Sequence, residues 1–176
     1  VSWLLDTDVL CQPAKRNGDP RVVAWLEREQ DRCYTSAIVI SQLAYWVRSK
    51  EGRKRKSLQA WLTKLIEAMH GRIHGFNVSV AHVWAEQEHL LEKAGQRMPV
   101  EDGYIAATAR RHGLTIVTGN DKDFRRPGLK VFNPFKETEP AVSPAASAKE
   151  RCASKESGYA KTRSAPAESY VPRNAP

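Results

Sequence analysis

The stretch PVEDGYIAATARRHGLTIVTGNDKDF, residues 99–124, holds a helix, a turn and a strand in direct succession, with oxygen-bearing side chains at both ends. Pro99 suits the opening of a helix, where its missing N–H costs nothing and its φ is already helical. Ile105, Ala106 and Ala109 recur three, four and seven residues after Asp102, the spacing of one helix face. Gly113 stands just past this pattern, where a chain commonly turns left-handed to leave a helix. LTIVT follows, a short apolar run rich in β-branched residues that reads as a buried strand. It closes on Thr118, with Asn120, Asp121 and Asp123 directly after it.

Outward from this unit the same alternation continues. VSWLL at the start is an apolar run ending at Asp6, and LKVFN (129–133) is a second candidate strand after LTIVT. Between them, Val22 to Arg28 reads as a short helix and Cys33–Tyr34 as an extended stretch. Ser36 is placed to N-cap a helix through Ile38, Leu43 and Val47. Leu58, Trp61, Leu62, Leu65, Ile66 and Met69 lie at helical spacing. Ile73 to Phe76 reads as an extended link, and Val80 to Ala94 as a further helix. Strands alternating with helices predict an α/β fold, a parallel sheet covered by helices. Chemistry in such sheets gathers outside the carboxyl ends of the strands. Asp6 and Thr118 end the two best strands, so both are expected at one crevice.

Composition sets the outer limits. The chain has 176 residues, 41% hydrophobic and 27% charged, enough for one domain and a remainder. From Lys136 to Pro176 it is dominated by Ala, Ser, Pro, Glu and Lys without apolar periodicity, so residues 136–176 are expected to form a disordered tail after a domain at 1–135. No apolar run approaches the roughly 20 residues that span a bilayer, and the start lacks a basic segment of the signal-peptide kind. Cys11, Cys33 and Cys152 lie far apart without a CxxC. A cytoplasmic protein without membrane association is the expectation. The formal charge of +8 favours polyanionic partners. The tail carries 7 Lys and Arg against 5 Asp and Glu, so most of the excess belongs to the domain. Arg48, Lys50, Arg53, Lys54, Arg55 and Lys56 form one basic cluster, and Arg110, Arg111, Arg125 and Arg126 another. Either is a path for phosphates or a solvated surface.

The acidic residues each admit two readings. Asp6 closes an apolar run, where a metal could stabilise it, or it caps a turn with Thr7. Asp102 sits in the first turn of its helix, at the edge of the buried face, where it also complements the helix dipole. Glu101 beside it is assigned only the dipole role. Thr118, Asn120, Asp121 and Asp123 could coordinate Mg²⁺ or simply make a turn.

LLDTDVL, TSAIVISQLAYWV, PVEDGYIAATARRHGLTIVTGNDKDF and GLKVFNPF together resemble the PIN-domain family, and within it the VapC-type toxin ribonucleases. The resemblance runs from Trp3 to Phe135, and its most specific piece is DGYIAATARRHGLTIVTGNDKDF. It implies a three-layer α/β/α domain with a small central parallel sheet over residues 1–135. It further implies a Mg²⁺- or Mn²⁺-dependent endoribonuclease, the toxin of a type II toxin–antitoxin pair, with RNA as substrate, an antitoxin as partner and a homodimer as the usual assembly. Carried over by position, the site is Asp6, Gln42, Asp102, Asn120 and Asp123, with Asp6, Asp102 and Asp123 as metal ligands. The sequence departs from the pattern at Gln42, where the family has Glu, and at Trp46, where Gly is common. A neutral amide at position 42 removes one charge and cannot act as a base. Two other readings therefore stand beside this one. The first is a catalytically impaired PIN-like module that binds RNA or an antitoxin. The second is a haloacid-dehalogenase-type phosphatase, because Asp6-Thr7-Asp8-Val9-Leu10 matches that family's opening motif.

Overall fold

The computed structural model describes residues 1–136; the tail expected from the composition, apart from Lys136, lies outside the described residues. β1 (Trp3–Leu5) is buried at every position, which is why its sequence is an unbroken apolar run rather than an alternating one. Asp6 N-caps α1 (Thr7–Leu10), and Asp19 with Pro20 opens α2 (Pro20–Glu29). β2 (Cys33–Ser36) passes directly into α3 (Ala37–Arg48), because the Ser36 hydroxyl accepts from the Val39 N–H as an N-cap should. α4 (Gly52–Ala68) begins earlier than its apolar pattern and carries the basic cluster on exposed first turns. After β3 (Ile73–His74), Asn77 caps α5 (Val78–Lys93). α6 (Val100–His112) follows Pro99 and ends on Gly113 at φ 66°, a conformation that favours glycine. β4 (Thr115–Val117), α7 (Asp121–Phe124) and β5 (Val131–Phe132) complete the order.

The sheet is parallel throughout, in the order β3-β2-β1-β4-β5. The chain builds outward from β1 to β3, then returns to lay β4 against the other side of β1. Strand order reverses between β1 and β4, and that is the point where such sheets open a crevice. Three layers result, as the resemblance implied, and the core joins Leu4, Leu5, Ile116 and Val117 of the sheet to Val39, Leu43 and Ile105 of the helices. At one end Trp3, Trp25 and Phe132 pack with ring centroids 5.5 Å apart, and Trp3 donates to the buried Glu29 carboxylate at 3.2 Å.

Two departures from the expected elements have clear causes. Ile73–His74 is a paired strand rather than a link, because Thr35 and Ser36 of β2 offer it a parallel partner. TGNDKDF is not only a turn: Phe124 is completely buried and draws residues 121–124 into the short helix α7. Lys136, assigned to the tail by composition, donates its N–H to Asn133 O (3.2 Å) and pairs with Asp121 (3.0 Å). Among the described residues no helix is long and apolar enough to cross a membrane.

His74 stacks between Tyr34 and His112, with centroid distances of 5.2 and 3.7 Å. Burial and the facing His112 hold the His74 imidazole below its ordinary value; burial and Arg111 do the same for His112. The unfolded chain therefore binds these protons more readily, so the stability held by the pair is full above about pH 6.5 and declines as the pH falls below it. A His74→Phe/His112→Phe double variant keeps every other titrating group and removes this one. Its urea midpoint should fall less than the wild-type midpoint between about pH 7 and about pH 5. Equal changes would show that the stack does not titrate with folding.

Candidate metal centre

Asp6 leaves the end of β1 with its N–H still donating to Val117 O (3.0 Å), so the central ladder itself fixes where its side chain starts. One carboxylate oxygen accepts from the Thr7 N–H (2.6 Å) and the other from the Thr118 hydroxyl (2.8 Å). Asp6 therefore caps α1 as the turn reading expected, and its carboxylate lies at the crevice. It is only 8% exposed, and burial raises its carboxyl above the ordinary range against those two hydrogen bonds.

Asp8, two residues on, faces the same place. Its Oδ2 accepts from the Gly119 N–H (2.8 Å), while its Oδ1 is buried and has no hydrogen-bond partner. Burial first, and then the charge of Asp6, push its carboxyl up to about 6. Gly119 is required here, since a Cβ would lie 2.7 Å from Asp8 Oδ2. Asp102 arrives from the first turn of α6 and is also pushed up to about 6, by burial and then by the charges of Asp6, Asp123, Glu101 and Asp8. Asp123 accepts from the Asn120 side-chain amide (2.7 Å). Gln42 spans the edge of the group: its carbonyl accepts from the Thr7 hydroxyl, and its amide donates to Glu101 (2.6 Å).

The five residues assigned from sequence, Asp6, Gln42, Asp102, Asn120 and Asp123, therefore come together at the β1–β4 switch point. Asp121 turns away. Its carboxylate meets Lys136 (3.0 Å), the Asn133 amide (3.0 Å) and Arg125 (3.1 Å), and the first two hydrogen bonds lower it to about 2. Sequence reasoning missed Asp8, which it treated only as part of a phosphatase motif. The available signal was its place two residues after an N-cap, inside the first turn of a helix beginning at the crevice. It also gave Glu101 a dipole role alone, whereas Glu101 is the partner of Gln42.

The residues fit a hard divalent cation. The donors are all oxygen, three carboxyls are raised by burial, two of them (Asp8 and Asp102) also by neighbouring carboxylates, and one buried Asp8 oxygen lacks a partner. Among the described residues no three His, Cys, Asp or Glu side chains already stand in coordinating geometry. Lys15 and Asn120 line the adjoining cavity of about 360 Å³, together with Asp6, Asp8, Leu43 and Trp46.

A parallel α/β domain with carboxylates gathered where its strand order reverses defines the class of molecule, and comparison gives the family. The PIN domain model matches residues 3–129, and the chain belongs to that family. Toxin FitB of Neisseria gonorrhoeae is 35% identical over 135 residues, 75% of this chain and 97% of the relative. VapC ribonuclease Y4jK of Sinorhizobium fredii is 30% identical over 141 residues, 78% of this chain and 99% of the relative. Among solved structures, FitAB bound to an IR36 DNA fragment is similar at a TM-score of 0.73 and 31% identity, covering 80% of this chain and 99% of that one. The phosphatase reading falls with the family membership.

Proposed function

We propose that the chain is a Mg²⁺- or Mn²⁺-dependent endoribonuclease and the toxin of a toxin–antitoxin pair, with Asp6, Asp102 and Asp123 holding the ion and Asp8 adding a fourth carboxylate. The observation that carries this reading is the convergence of carboxylates at one crevice: Asp6 and Asp8 line one cavity with Asn120, and a buried Asp8 oxygen there has no hydrogen-bond partner. A bound divalent ion would supply activated water and charge stabilisation at the scissile phosphate. The chain's own residues do the rest. Thr118 and the Thr7 N–H aim the Asp6 carboxylate, Asn120 holds Asp123, and Lys15 brings a positive charge to the cavity for a substrate phosphate. The names toxin FitB and VapC ribonuclease support the activity, and the solved FitAB complex supports an antitoxin partner. Exposed Tyr45, Val78, Leu90 and Val100 offer apolar surface to an antitoxin or to a second copy in a homodimer. The buried thiols of Cys11 and Cys33 suit a cytoplasmic setting. Cleavage of single-stranded RNA in Mg²⁺, abolished by EDTA, tests the activity; no cleavage in either would favour the binding module that Gln42 first suggested.

Gln42 is the informative position. Glu101 lies at hydrogen-bond distance from its amide, so a charge absent at 42 is present one contact away. Gln42→Glu would set two carboxylates against each other at an exposed edge. In EDTA this should lower stability by about 1 kcal/mol. In saturating Mg²⁺ the added charge should hold the ion roughly tenfold tighter, worth about 1.4 kcal/mol, and raise the cleavage rate. A Mg²⁺-induced rise in thermal midpoint that is equal in the two forms would put position 42 outside the metal shell.

A further inference from the structure

Trp46 lies one helical turn beyond Gln42 on α3, so both side chains point to the same side, and its indole walls the cavity that contains Asp6, Asp8 and Asn120. The ring is held in orientation by Trp61 of α4, which meets it edge-on at 6.3 Å and 90°. One turn further along, Lys50 brings its ammonium 5.9 Å from the centre of the Trp46 ring. Lys50 also begins the basic run that continues through Arg53, Lys54, Arg55 and Lys56, all four exposed on the first turns of α4. The acidic cavity is thereby joined, through one aromatic ring, to the most cationic segment of the described surface.

A cluster of carboxylates repels the polyanion it must cut, so affinity has to come from beside the cluster. We propose that Trp46 is a stacking platform for an unpaired RNA base next to the scissile phosphate, with Lys50 and the α4 basic run holding the backbone that leads to it. This rests on the ribonuclease reading and adds a positioning residue for the substrate: Trp46, with Lys50 and the α4 run beside it. The physical basis is that a base inside a helix has both faces covered, whereas an unpaired base presents a free face to an indole. Stacking of this kind is tolerant of sequence, while the Lys and Arg contacts add salt-dependent affinity.

The test compares Trp46→Leu with Trp46→Phe, since both keep apolar bulk against Trp61 and only Phe can stack. Binding is read by anisotropy of short fluorescein-labelled single-stranded RNA and of the same strand annealed to its complement, each variant in an Asp6→Asn background that removes cleavage. The Leu form should bind the single strand roughly tenfold more weakly, the Phe form should recover most of that loss, and the weaker duplex affinity should stay unchanged in all forms. In the otherwise wild-type background, Trp46→Leu should raise KM for single-stranded RNA more than it lowers kcat. Equal single-strand affinities in the Trp, Leu and Phe forms would overturn the platform and leave the ring to packing or to a protein partner. Equal binding of single strand and duplex by the Trp form would overturn it as well. Failure of the ribonuclease reading shows separately, as cleavage that does not differ between wild type and Asp6→Asn, and absence of RNA binding by every form would overturn both.

Discussion

Asp6→Asn should reduce Mg²⁺-dependent RNA cleavage by at least about 100-fold while leaving the fold intact. The lower bound follows from metal sites in general, where loss of even an outer-shell partner costs about 10–100-fold, and Asp6 is assigned to the metal itself. The fold is spared because asparagine keeps an oxygen to accept from the Thr7 N–H and cap α1, and the Thr118 hydroxyl can turn to accept from the new amide. Removing a buried charge that burial already disfavours should leave the thermal midpoint equal or higher in EDTA. The difference should reverse in Mg²⁺, where wild type gains stability from the ion and the variant gains little. Cleavage by purified Asp6→Asn at the wild-type rate would locate the activity elsewhere.

The largest effect on stability is expected at Asn133, which is fully buried just after β5. Its amide donates to Asp121 (3.0 Å) and to Gly119 O (3.2 Å), and its carbonyl accepts from the Phe135 N–H (3.0 Å). These three bonds tie the loop after β4 to the chain after β5, so they fix the Gly119 N–H that holds Asp8. Asn133→Leu keeps the size and removes all three, stranding buried groups at about 1–3 kcal/mol apiece. Some of these groups retain other partners, since Asp121 keeps Lys136 and Arg125, so a total of about 3 kcal/mol is expected, or roughly 10 °C in Tm. A fall of only a degree or two would mean that the loop is held by something other than this amide.

The sequence displays its local signals well and its distant ones poorly. β1, β4, the Ser36 cap and the Gly113 exit were legible because period and capping are written within a few residues. Ile73–His74 could not be recognised as a strand, since its strand character comes only from pairing with Thr35 and Ser36. The clustering of Asp6, Asp102, Asn120 and Asp123 was readable through resemblance to a family, not through spacing. Asp8 shows why: what makes it a site residue is the Gly119 N–H, 111 positions away. Glu101 likewise takes its meaning from Gln42, which no periodicity connects to it. The basic run at residues 53–56 was read as a path for phosphates or a solvated surface, with no element assigned to it. It forms the first turns of α4, although positive charge opposes the dipole there, because the apolar stripe through Leu58 and Leu62 holds the helix from its other end.

The bond from Thr118 to Asp6 closes a loop of 112 residues, and closing such a loop costs about 4 kcal/mol of chain entropy before any contact repays it. Asp6 and Asp8 precede β4 by more than 100 residues in the chain, and there is no crevice until β4 has settled beside β1. The same holds in reverse: any opening that frees β4 dismantles the cluster at once. Assembly of the candidate metal centre thus waits on the pairing of β1 with β4, so the cluster and the closed sheet arrive and depart together.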